Sequence, residues 1–233
     1  MEDFKYYKNK IKEEIKLAFA HNKYFLIVSA LIFIIPMFVG YFYSDQITPY
    51  IQPMVDTFEE NIRNGTVTLS TKSLFANNVE VAIILYALSA LGAILGIVVL
   101  ANNGLFIGFY GANFELTRYV LLTLPHGIFE ISAIIIATTG GFVILSFVLN
   151  FLYNVIYPDY SYTDIFDPYF SDAKITVGQR FKSSFKKHGH RIKESFILLC
   201  VSVILLIIAA FIEANITIPF AYWICSLFGI SLI

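Results

Sequence analysis

The sequence predicts an all-α fold: a polytopic transmembrane helix bundle of five or six spans, with an N-terminal amphipathic helix in the membrane interface. Three observations predict it. Hydrophobic residues make up 58% of the 233 residues and charged ones only 14%, against about 25% charged in ordinary soluble domains. Mean hydropathy is +0.71. The apolar residues also gather into long uncharged runs, and about 20 such residues match the thickness of a bilayer's hydrocarbon. Net charge is −1, so no basic field points to nucleic acid. Cys200 and Cys225 both sit inside apolar runs and read as small apolar fillers rather than a disulfide framework.

The elements follow in chain order. Residues 1–23 form the amphipathic segment: Phe4, Tyr7, Ile11, Ile15 and Ala18 recur at helical spacing, and Lys5, Lys8, Lys12 and Lys16 keep the same step on another face. Such a helix lies among lipid headgroups, its lysines toward anionic ones; the alternative is a solvated helix packed on the protein's own loops. Residues 24–233 form a single transmembrane bundle. Its first span, 24–43, is too long for a signal peptide's core and reads as a retained anchor. Pro36 within it is tolerated as a kink.

A polar loop, 44–78, follows. Ile51, Met54, Val55, Phe58 and Ile62 mark a short amphipathic helix in it, closed by Asn64-Gly65. The second run, 79–101, spaces Gly92 and Gly96 for close helix approach. Asn102-Asn103-Gly104 reads as a turn, after which the third run, 104–124, lines up Gly104, Gly108 and Gly111. Pro125 suits the first turn of the fourth span, 127–153. The second polar loop, 157–193, is acidic first (Asp159, Asp164, Asp167, Asp172) and then basic. Phe181 and Phe185 among those bases suggest another surface-lying helix. The fifth run, 195–211, ends at Glu213. The tail, 216–233, is just long enough to cross again or to pack on the bundle, and six crossings are preferred over five.

Lys and Arg counts set the orientation. There are six in the first 23 residues and seven in 157–193, but only Arg63 and Lys72 in 44–78. The N-terminus and loop 157–193 are therefore expected in the cytoplasm and loop 44–78 outside, in a multi-pass protein of the cell membrane. Asn64-Gly65-Thr66 then forms an outside sequon, a pattern that occurs often by chance.

Few polar groups interrupt the apolar runs, and a charge at mid-membrane costs about 2.5–3.5 kcal/mol. Glu115 and Arg118 stand three apart, so a helix would let them pair, either to hold the bundle in register or to line a polar pathway. His126 and Glu130 stand one turn apart behind Pro125. That spacing serves a capped helix start, a polar site, or two metal ligands with Glu213 as the natural third. The asparagines and glycines near 103 read as packing and turn chemistry. No phosphate-binding glycine loop, His-Glu-x-x-His, Gly-x-Ser-x-Gly or Cys-x-x-Cys occurs in the sequence.

Ser73-Leu74-Phe75-Ala76-Asn77-Asn78, the apolar run after it, Asn103-Gly104 with Gly108, and Leu124-Pro125-His126-Gly127-Ile128-Phe129-Glu130-Ile131-Ser132-Ala133 together resemble the stage II sporulation protein M family. A looser match lies at Ala209-Ala210-Phe211-Ile212-Glu213 with Thr217 and Pro219. The resemblance implies a multi-spanning membrane protein of bacteria or archaea, with Asn77, Asn78, Asn103, Gly104, Gly108, Pro125, His126, Gly127, Glu130 and Glu213 at the motif positions; the extra Asn102 and Ser132 are minor departures from the family's pattern. In sporulating bacteria such a protein anchors cell-wall-remodelling hydrolases during engulfment. Most members occur in organisms that do not sporulate, so architecture and polar positions transfer and that role does not.

The leading expectation is a non-enzymatic envelope scaffold that recruits partner proteins, with membrane lipids and unidentified envelope proteins as partners. The small-residue faces also allow a homodimer. Two alternatives stay open. One is a transporter or permease-like subunit with a buried polar pathway; the other is an intramembrane divalent metal site at His126, Glu130 and Glu213. No other cofactor is expected.

Overall fold

Lipid offers a backbone no water to bond with, so long apolar segments satisfy their own N–H and C=O groups as α-helices. A computed structural model describes residues 2–64, 70–157 and 176–229 of the chain. The helices are α1 (Glu2–His21), α2 (Lys23–Phe42), α3 (Ser44–Arg63), α4 (Thr71–Leu91), α5 (Ala93–Ala112), α6 (Leu116–Ile156), α7 (Val177–His188), α8 (His190–Ile212) and α9 (Ile218–Phe228). A π-helical turn, Glu213–Thr217, joins the last two. The described residues contain no strand. Among the described residues, five helical stretches are long and apolar enough to cross a membrane: α2, α4, α5, α6, and α8 running through the π turn into α9.

Several boundaries differ from expectation. Asn102-Asn103-Gly104 is not a turn: it lies inside α5, where the Asn103 amide donates to the Val99 carbonyl at 2.9 Å. The break falls instead at Gly92, in extended backbone between α4 and α5. Pro125 does not open a helix but sits inside the 41-residue α6; lipid-embedded helices accept proline because neighbouring groups re-satisfy the freed carbonyl. Most of the expected loop 44–78 is helical, since α3 fills 44–63 and α4 begins at Thr71. The basic half of 157–193 is also helical, as α7 and the start of α8. Its acidic half and the Gly65-Thr66 part of the sequon lie outside the described residues. Among the described residues the tail adds no sixth crossing, because residues 190–228 form one continuous helix through the π turn.

The centre of the bundle is α6, in which every residue from Ala133 to Val143 is buried. A helix covered on all sides needs no polar face. It packs chiefly against α8 and α4, and less against α7 and α2. Against α8 it is stitched by hydroxyls that donate across the interface: Ser195 to the Gly140 carbonyl at 2.7 Å and Ser202 to the Ala133 carbonyl at 2.8 Å. Those two contacts step in opposite directions along the helices, so the pair is antiparallel. The Tyr86 hydroxyl of α4 joins the Ser195 hydroxyl at 2.8 Å.

The other tight pair, α2 with α5, meets by backbone. A side chain at Gly104 would strike the Phe33 carbonyl, one at Gly108 the Met37 carbonyl, and one at Gly40 the Leu105 carbonyl. Phe33 and Leu100 fill the core beside this contact. On the far side of α5, the amphipathic α3 buries Ile51 and Val55 against Phe109.

At the opposite end, α1 is tied down through one buried carboxylate. Glu194 meets His21 Nδ1 at 2.7 Å and accepts from the Asn22 amide at 2.9 Å. Lys193 pairs with Glu14 of α1 at 2.5 Å. Helix α7 begins with a reciprocal cap between Thr176 and Gln179, an arrangement that satisfies two otherwise orphaned N–H groups. It then lies across the end of α6. The ring centres of Phe151 and Phe181 are 5.3 Å apart and those of Phe147 and Phe185 6.4 Å.

Candidate functional site

The motif residues divide into three places. Gly104 and Gly108 are structural contacts with α2. Asn103 is half-buried and lines a shallow groove with Met54, Thr57 and Asn61 of α3, whereas Asn102 is exposed on the outward face of α5. The stripe of small residues is thus occupied within the chain by α2.

Glu115 and Arg118 stand at the second place, the junction of α5 and α6. They form no ion pair and are not inside the bundle. Both are exposed, because α6 starts at Leu116 and Glu115 is its non-helical N-cap. The i, i+3 geometry that would join them needs both on one helix. What locks this corner is Tyr119: its ring fills the space left by Gly111, and its hydroxyl donates to the Ile107 carbonyl at 3.0 Å.

The third place is a polar cluster where α6 meets the π turn. His126 Nδ1 lies 3.3 Å from the Thr217 hydroxyl. Thr217 spends its single hydroxyl proton on the Ile212 carbonyl at 3.2 Å, so the imidazole N–H is the donor to Thr217. This arrangement leaves Nε2 as the ring's second polar atom, on the side away from Thr217. The hydroxyl bond from Thr217 reaches five residues back across the π turn Glu213–Thr217, and such single wide turns occur often at functional sites. One face earlier, Glu213 stands half-buried within electrostatic reach of half-buried Glu130.

Asn78 belongs to the same layer by register. Ala82 and Ala133 pack together in one core. One turn back from each, on the same helix faces, stand buried Asn78 and half-buried Glu130. The Asn77 amide approaches the Asn78 oxygen at 3.5 Å. Gly127 is buried, with only the Thr123 methyl beside the place a side chain would take.

The structure therefore brings His126, Glu130 and Glu213 towards one end of α6. Among the described residues no group of three or more His, Cys, Asp or Glu side chains is arranged to hold a metal. His126 is turned to Thr217 through Nδ1. Sequence reasoning named Thr217 beside Glu213 without pairing it to His126, and it missed Glu194. Glu194 was legible as the lone acid at the mouth of an apolar run.

These features define a class: a polytopic α-helical integral membrane protein with a polar cluster at one end of an otherwise apolar bundle. The chain belongs to the stage II sporulation protein M family, whose sequence profile matches residues 29–218. It is similar to the uncharacterized protein MJ0706 of Methanocaldococcus jannaschii, 27% identical over 220 residues, 91% of this chain and 89% of that protein. It is also similar to the uncharacterized protein MJ0793 of the same organism, 31% identical over 150 residues, 62% of this chain and 69% of that protein. No solved structure matches the chain.

Proposed function

We propose that this protein is a non-enzymatic scaffold of the cell envelope, with a cytoplasmic N-terminus, that holds partner proteins on its amphipathic helices. The observation that carries this reading is the unbroken burial of Ala133–Val143 in the central helix. A helix enclosed on every side leaves no lane for a solute along it. The charged residues lie elsewhere. Glu115 and Arg118, which a polar pathway would have used, are exposed at a helix junction. Helix α3 buries one edge through Ile51 and Val55 and turns Tyr50, Gln52, Pro53, Asp56 and Asn61 outward. In the orientation set by the lysine and arginine counts, that face lies outside the cell.

Reconstitution tests the reading. Proteoliposomes should show ion and proton flux no greater than protein-free vesicles. A photo-crosslinker placed at Tyr50 should yield one discrete adduct in the native membrane, where one placed at buried Val55 yields none. Flux that disappears in Glu130→Gln would overturn the scaffold in favour of a permease.

A further inference from the structure

We propose that the groove between α1 and α8 binds one anionic phospholipid. Lys10, Ile11, Glu14 and Ile15 of α1 and Lys193 and Ile197 of α8 line a groove of about 290 Å³. The groove opens because the helices part along α1. Ala18 is wholly buried beside Leu198, while Ile11, two turns earlier, is 61% exposed. On α1 the lining residues stand one turn apart, Lys10 with Glu14 and Ile11 with Ile15; on α8, Lys193 and Ile197 do the same. Each helix thus offers a charged edge and an aliphatic edge to the same cleft.

The charges suit a phosphodiester. Glu14 is paired with Lys193, whereas Lys10 is exposed and has no hydrogen bond or ion pair among the described residues. Two cations and one anion leave a single net positive charge at the rim, the complement of a lipid phosphate. The aliphatic walls require more than the headgroup. Ile197 lies within a membrane-crossing helix, so an acyl chain descending past Ile11, Ile15 and Ile197 would cover surface that a water-soluble phosphate leaves bare. Amphipathic interfacial helices gain binding from buried apolar area and anionic attraction together, and this cleft supplies both at one point.

Native mass spectrometry of the full chain, delipidated in detergent and titrated with lipid, tests the site. One phosphatidylglycerol should be retained in preference to phosphatidylcholine. Lys10→Gln should weaken that retention about fivefold, the effect of one lysine near a membrane surface. Glu14→Gln should strengthen it, by freeing Lys193. Ile197→Trp, which fills the groove without changing charge, should abolish it, and Lys5→Gln, outside the groove, should leave it unchanged. Three results would overturn the proposal: equal retention of the two lipids, equal losses in the Lys5 and Lys10 variants, or displacement of the lipid by glycerol phosphate at similar concentration.

Discussion

Helices α2 and α5 are joined in a different way from α6 and α8. The first pair meets backbone to backbone, with Gly104 and Gly108 against the carbonyls of Phe33 and Met37. The second meets through hydroxyls, Ser195 on Gly140 and Ser202 on Ala133. Inside a bilayer neither pair gains from leaving water, since the lipid is as apolar as the helices. Close packing and interhelical hydrogen bonds remain as the available forces, and this chain uses one in each half. The two solutions differ in tolerance. A carbonyl cannot move aside without moving its helix, whereas a lost hydroxyl leaves the backbones where they were.

Substitutions can break this comparison. The largest effect is expected for Gly108→Val, whose side chain must force α2 and α5 apart. Unfolding of the purified protein in mixed detergent should show a loss of about 3 kcal/mol, the upper range for overpacked cores. A loss below about 1 kcal/mol would mean that the helices slide freely past each other. Ser195→Ala comes next. It removes the bond to Gly140 and leaves the Tyr86 hydroxyl without its partner, so about 1 kcal/mol is expected, near the upper part of the range for interhelical bonds. The smallest effect is expected for Gly127→Ala. Only the Thr123 methyl stands near the new atom, at 3.3 Å, and alanine favours a helix over glycine. Stability should be unchanged or rise by up to about 0.5 kcal/mol; a fall like that of Gly108→Val would remove the distinction between packed and open glycines.

The parts of the fold that were legible in the sequence were those governed by composition and period. The membrane class, the amphipathic α1, the first span and the helix around Phe181 and Phe185 all follow from apolar length or spacing. The misplaced boundaries share a cause. Asn102-Asn103-Gly104 and Pro125 are strong turn signals in water, where an unpaired carbonyl can bond solvent. In lipid the helix persists through them, with Asn103 folded back onto Val99. The true break at Gly92 carries no polar mark, since its flanks are apolar and its extended backbone suits any residue. The polar cluster was legible as a list of rare residues, but not as a geometry. That His126 meets Thr217, with Glu213 within electrostatic reach of Glu130, goes with the widened turn at 213–217, which no local pattern announces.

The length of α6 has one more effect. Forty-one residues at about 1.5 Å each make a rod of roughly 60 Å, and hydrocarbon covers only about 30 Å of it. The rest of the rod must find its cover in protein, and α7 supplies some towards the C-terminal end, where Phe185 and Phe181 meet Phe147 and Phe151.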